Sequence, residues 1–157
     1  MRKFLFLVLM VSLVAGCGDQ KTEKSYMGKK VTGADYSAQA LESLQKGDVP
    51  TAIQNFDQAI RHDPENPQNY LVLAQVYMRL KQFDRAIDTF SGAIKVDPNN
   101  GEAYYFTALS YVQQGPEFRE PAVKALEKSI EIFIQKKDQE KLQQAANLLK
   151  SLTQPQS

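Results

Sequence analysis

The chain has 157 residues, 43% hydrophobic and 24% charged, with 19 Lys and Arg against 18 Asp and Glu, a formal net charge of +1. That balance leaves no basic excess to hold nucleic acid or an anionic lipid surface. The one cysteine rules out an internal disulfide, and the one histidine, His62, has no second histidine to join it in a metal or acid/base pair.

The chain opens Met1-Arg2-Lys3 and runs apolar from Phe4 to Val14, broken only by Ser12. A charged start and an apolar run well short of the ~20 residues that span a bilayer read as a secretory signal over residues 1–16. It ends Leu13-Val14-Ala15-Gly16-Cys17, which resembles the bacterial lipobox. The resemblance implies cleavage before Cys17 and acylation of its thiol; the alternative is a small residue in a plain signal peptide or an uncleaved anchor. Several acyl chains anchor stably where one is marginal. Cleavage removes Arg2 and Lys3 from the 19 basic residues, leaving 17 against 18 acidic, formally −1. Residues 17–32 hold the modified cysteine and a polar, aperiodic tether carrying Lys21, Lys24, Lys29 and Lys30. Its fifteen residues after Cys17 reach about 50 Å fully extended and about 20 Å on average.

From Gly33 onward the chain repeats itself every 34 residues: Tyr36, Tyr70 and Tyr104 align, as do Ala40, Ala74 and Ala108. Ala52, Phe56, Ala59 and Pro64 recur as Ala86, Phe90, Ala93 and Pro98. A fixed period of this length signals stacked units. Within the unit over 67–100, Tyr70, Leu73, Ala74 and Tyr77 mark one face of a helix at i, i+3, i+4 and i+7. Phe83, Ala86, Ile87, Phe90, Ala93 and Ile94 mark a second. The link Leu80-Lys81-Gln82 permits only an antiparallel hairpin. Ala74 and Ala86 are small where the two helices close to ~8–10 Å. Asp97-Pro98 stops the second helix, and Asn99 or Asn100 caps the next.

These residues resemble the tetratricopeptide repeat. The family pattern of aromatic-x2-Leu-small-x2-Tyr, Ala-x3-Phe and Pro is met by Tyr70, Leu73, Ala74, Tyr77, Ala86, Phe90 and Pro98. The expected fold is an all-α solenoid of three helix-turn-helix repeats, 33–66, 67–100 and 101–136, closed by a capping helix over 137–152: seven helices and no strand. Repeat-packing residues are Ala40, Ala52, Phe56, Ala74, Tyr77, Ala86, Phe90, Ala108, Tyr111 and Ala122. In repeat one, Gln39 and Ser43 replace Leu and Tyr, as suits a terminal unit with one side in water, and Pro50 fits a first turn.

Repeat three departs further. Its turn, Gly115 to Pro121, carries two extra residues and reads as a surface insertion rather than a contact loop. Its second helix is expected over 120–135, with Leu126 and Ser129 at the Phe and Ala positions and no Asp-Pro to close it. Leu142, Ala145, Ala146, Leu149 and Leu152 give the capping helix one apolar stripe, and residues 153–157 read as a disordered tail. His62 is expected to meet the C-terminal carbonyls of its helix.

No catalytic constellation, glycine-rich phosphate loop or calcium loop is legible, so the expectation is a non-enzyme without cofactor or metal. The family resemblance implies a groove lined by the first helix of each repeat: Ser37, Leu41 and Leu44; Leu71, Gln75, Met78 and Arg79; Tyr105, Leu109, Val112 and Gln113. A subfamily's carboxylate clamp is not implied, because Leu41 and Val72 occupy its two asparagine positions, although Arg79 can meet an acidic side chain. The groove suits a peptide or helix bringing two or three apolar side chains. The alternative is that Leu44, Leu71, Leu109 and Val112 are core, or are covered by the tether or the last helix. The expected role is an adaptor for a cell-envelope protein partner, with self-association as a homodimer, or service as an accessory subunit of a cell-wall hydrolase, secretion or pilus machine, as alternatives. Gly18, not Asp19, follows Cys17, which by analogy favours the periplasmic face of an outer membrane over the inner membrane or a monoderm surface.

Overall fold

The computed structural model describes residues 30–154. Cys17, the expected signal peptide and nearly all of the tether lie outside the described residues. Within them are seven α-helices and no strand: α1 (Gly33–Gln45), α2 (Val49–His62), α3 (Pro67–Arg79), α4 (Phe83–Val96), α5 (Gly101–Gln114), α6 (Arg119–Lys136) and α7 (Gln139–Thr153). A single 3-10 turn, Pro116–Phe118, precedes α6. α1 pairs with α2, α3 with α4 and α5 with α6; α2 then packs on α3, α4 on α5 and α6 on α7. This is the three-hairpin α-solenoid with a capping helix.

Local chemistry sets the helix starts. Side-chain oxygens of Thr32, Asp48, Asn66, Asn100 and Asp138 accept from orphan N–H groups of the first turns. Thr32 and Asp35 complete a reciprocal capping box. Pro50 and Pro67 sit in first turns, where no N–H is needed. α2 and α4 both stop after 14 residues at Asp63 and Asp97, each followed by proline. α6 lacks that stop and runs 18 residues, from Arg119 rather than 120 to Lys136, ending at Lys137 in the left-handed region. α7 includes Thr153, one residue into the expected tail.

The core follows the repeat. Ala40, Ala52, Ala74, Ala86, Ala108 and Ala122 have no exposed surface, and Phe56, Tyr77 and Phe90 are buried beside those close approaches. Burying each such aromatic ring contributes about 1.5–3 kcal/mol. Tyr111 is half-buried against the second cluster, which Ala108, Ala122, Leu126, Phe133 and Ala145 form with the apolar side of α7. Gly92 lets the Tyr70 ring lie on α4: a Cβ there would stand 2.5 Å from Tyr70 Cδ1. The Gly115–Pro121 segment is not a bare surface insertion, because Phe118 stacks on Tyr111 at 6.1 Å and 15°. That contact anchors the extra residues to the fold.

Candidate partner-binding face

The first helices α1, α3 and α5 lie side by side in chain order. Ser37 of α1 reaches Asn69 of α3 at 2.7 Å, and α3 touches α5. Their shared face carries the expected groove residues, but unequally. Leu41 is 46% exposed; Arg79 and Gln113 are exposed; Gln75, Met78, Tyr105, Leu109 and Val112 are half-buried. Leu71 does not belong to the open surface. It is 3% exposed and part of the first core cluster, so a partner cannot touch it without disrupting packing. Leu44 packs half-buried against the same cluster. Ser37 is engaged within the fold, 2.9 Å from the Gly33 carbonyl as well as against Asn69.

Between α3 and α5 an open cleft of about 360 Å³ is lined by Met78, Arg79, Lys81, Phe83, Leu109 and Gln113. A second, of about 450 Å³, continues around the α3–α4 turn past Lys81, Gln82, Asp84, Arg85 and Gln114. Arg85 is committed: it donates to Gln82 Oε1 (2.9 Å) and to the Tyr77 hydroxyl (2.7 Å), and its guanidinium lies 4.1 Å from the Tyr77 ring centroid. Burial pushes the Tyr77 phenol up, with Asp57 adding to the rise and Arg85 opposing it. The side chains of Arg79 and Lys81 have no ion pair or hydrogen bond among the described residues.

Towards the C-terminal end the same face is partly covered by α7. Tyr105 meets Phe106 edge-on at 5.5 Å and borders a small cavity of about 50 Å³ shared with Phe133, Lys141 and Gln144. Lys141 fastens α7 to α5 by an ion pair with Glu102 at 2.6 Å, which together with Asp138 holds the ammonium above its usual range. Val112 borders a cleft of about 270 Å³ that Leu152 and Gln154 share. Self-coverage and an open groove therefore coexist, the first over α5 near α7 and the second between α3 and α5.

His62 differs from expectation. Its ring stacks on Tyr36 at 5.0 Å, tilted by 33°, and belongs to the α1–α2 contact. Among the described residues no group of three or more His, Cys, Asp or Glu could hold a metal ion, and no helix is long and apolar enough to cross a membrane. Lys81, Phe83 and Gln114 escaped the sequence reading of the face. The 34-residue register held a signal for Lys81: Gly47 and Gly115 occupy its position in the other repeats.

Comparison with known proteins agrees with this architecture. Residues 43–115, from α1 to the turn after α5, match the family described as tetratricopeptide repeat. No curated protein matches the chain. The structure described as "TPR2B-domain:pHsp70-complex of yeast Sti1" superposes with a TM-score of 0.69 at 21% identity, covering 77% of this chain and 95% of that one. "First TPR of Spaghetti (RPAP3) bound to HSP90 peptide SRMEEVD" gives 0.66 at 20%, covering 78% and 90%. "Crystal structure of PcrH in complex with the chaperone binding region of PopD" gives 0.69 at 16%, covering 76% and 90%. At these identities the likeness is one of fold. Residues 43–115 thus match tetratricopeptide repeats, and the described helices share that solenoid fold, with the hairpins where the 34-residue period puts them.

Proposed function

We propose that this chain is a protein-interaction module that holds a peptide or helix of a cell-envelope partner on the face of α1, α3 and α5, with a lipid on Cys17 as its anchor and no catalytic role of its own. The observation that carries the reading is the open cleft between Met78, Phe83 and Leu109, bordered by two unpaired cations. Apolar side chains half-exposed around a preformed cleft suit the docking of a partner's apolar residues. Neighbours in fold are described with a peptide or a chaperone-binding region bound, which supports the same use here.

Site-specific photo-crosslinking in the native cell tests this. A photoreactive residue at Leu41, Arg79 or Gln113 should trap one and the same protein. The same residue at Gln54 on α2 or Lys124 on α6, away from that face, should not. Trapping of the same protein from both sets, or from neither, ends the groove reading. The anchor is tested separately: labelled palmitate should enter the product of the natural chain and not that of Cys17→Ser. Fractionation of the envelope should place the protein in the outer membrane, as the Gly18-Asp19 order suggests by analogy.

A further inference from the structure

The three repeats turn from first to second helix at equivalent residues: Gly47 at φ 77°, Lys81 at φ 58° and Gly115 at φ 145°. Glycine enters that region freely, whereas an L-residue is strained in it. Repeat two alone accepts the strain. Lys137 shares the conformation at the α6–α7 turn, so the backbone angle by itself carries nothing. What distinguishes Lys81 is its surroundings.

Lys81 lines both clefts at the α3–α4 turn. Of the charged groups around them, Arg85 is held by Gln82 and Tyr77, and Asp84 accepts from Gln114 Nε2. Arg79 and Lys81 are left as two uncommitted cations against no free carboxylate. Beside them lies a second local cost: Gln114 Oε1 is buried without a donor. Its amide cannot flip to cure this, because a carboxylate only accepts and Nε2 must keep facing Asp84. Strain and an orphaned acceptor on one cleft mark a site shaped by something other than folding.

We propose that Arg79 and Lys81 receive a carboxylate, and that the partner segment carries an acidic side chain about one helical turn from a large apolar side chain entering between Met78, Phe83 and Leu109. This rests on the peptide-binding reading of the same face and adds the partner's chemistry. A left-handed turn residue projects from the rim, where a charge chiefly sets association rate and salt dependence. The apolar anchor supplies the desolvated contact beneath it.

The full 157-residue chain, kept in mild detergent, is panned against a phage-displayed random dodecapeptide library, and the consensus peptide is then titrated by fluorescence anisotropy. The expected consensus places Glu or Asp three or four positions from Leu, Phe or Met, and its binding weakens as salt rises. Two variants are titrated alongside, Arg79→Gln/Lys81→Gln and Lys81→Gly. Each should bind the peptide about tenfold more weakly, while Lys81→Gly melts about 3 °C higher because its turn is relieved. Loss of binding in a more stable chain cannot be misfolding. A consensus without acidic residues, or acidic binding that both variants keep, overturns the carboxylate proposal and leaves the groove reading standing. A consensus matching a stretch of this chain itself replaces the foreign partner with a second copy or an internal segment. No consensus at all ends both readings.

Discussion

Repeats one and two and repeat three are built to one plan with different stops and fillings. In the first two, a phenylalanine plugs the hairpin (Phe56, Phe90), an alanine follows one turn later (Ala59, Ala93), and Asp-Pro ends the second helix. In the third these become Leu126, Ser129 and Phe133-Ile134, and the helix runs four residues further than its counterparts, 18 against 14. Phe133, free of a proline, turns onto Gly101, where a Cβ would lie 2.6 Å from its Cε1. Removing a stop signal thus did more than lengthen a helix. It supplied the ring that closes the last repeat against α7, and a solenoid end needs such a cover because no further repeat buries it.

Substitutions in the two kinds of repeat should separate them, as read by urea unfolding of the full chain followed by far-UV circular dichroism. The largest effect is expected from Phe90→Ala, about 3–5 kcal/mol destabilising. Phe90 also stacks on Phe106 at 5.9 Å and so joins repeats two and three; Leu126→Ala, with no ring partner, should cost less. Next comes Ile134→Pro, which restores the proline that Pro64 and Pro98 supply elsewhere. Ile134 is 56% exposed, so its side chain contributes little, and a loss of about 3 kcal/mol would come from the broken helix and a displaced Phe133. Removing Pro98 from repeat two should change stability by under ~1 kcal/mol.

Gly101→Ala should cost about 1–3 kcal/mol by overpacking Phe133, and a second change, Phe133→Leu, should return part of that loss. If Gly101→Ala is silent, the ring does not close on α5 as described. In the opposite direction, Ser129→Ala should stabilise by about 1 kcal/mol. The Ser129 hydroxyl is buried without a partner at the position where the other repeats carry alanine. A loss instead would reveal a hydrogen bond at Ser129 Oγ.

The smallest effect is expected at the capping helix. Glu102→Gln removes the ion pair with Lys141, whose side chains are 41% and 43% exposed, so no more than ~0.5 kcal/mol should go. The sign of its pH dependence follows from the raised Lys141 pKa. The pair's contribution is fully present below the unfolded lysine value of about 10.4 and is lost as pH climbs through the higher folded value. A stability difference between the natural chain and the Glu102→Gln variant that grows rather than vanishes above that range would contradict the pairing.

Much of this architecture was legible because its signals are local. Tyr70, Leu73, Ala74 and Tyr77 define a helix face by spacing alone, and Asp-Pro or Asn before a helix acts on its own backbone. The helix order, the hairpins, the capping helix and the buried alanines all follow from such signals. The binding face was legible only as a set of candidates. Leu71 and Leu41 are the same residue type on first helices, yet one is 3% and the other 46% exposed. His62 was expected at carbonyls and found on Tyr36, because a ring partner from another helix leaves no trace in the residues around it. Phe118 likewise anchors a turn whose extra length alone suggested a free loop.

The 34-residue unit, its two helices and the small residues between them come from local signals, since i to i+4 spacing and capping act within a few residues. Which first-helix side chains face outward depends on how the hairpins stack. Among the described residues, Leu71 sits on α3 with a repeat on either side of it, while α1, which carries Leu41, has one only on the α3 side. Exposure is a property of neighbours brought together by stacking, and stacking joins residues whole repeats apart.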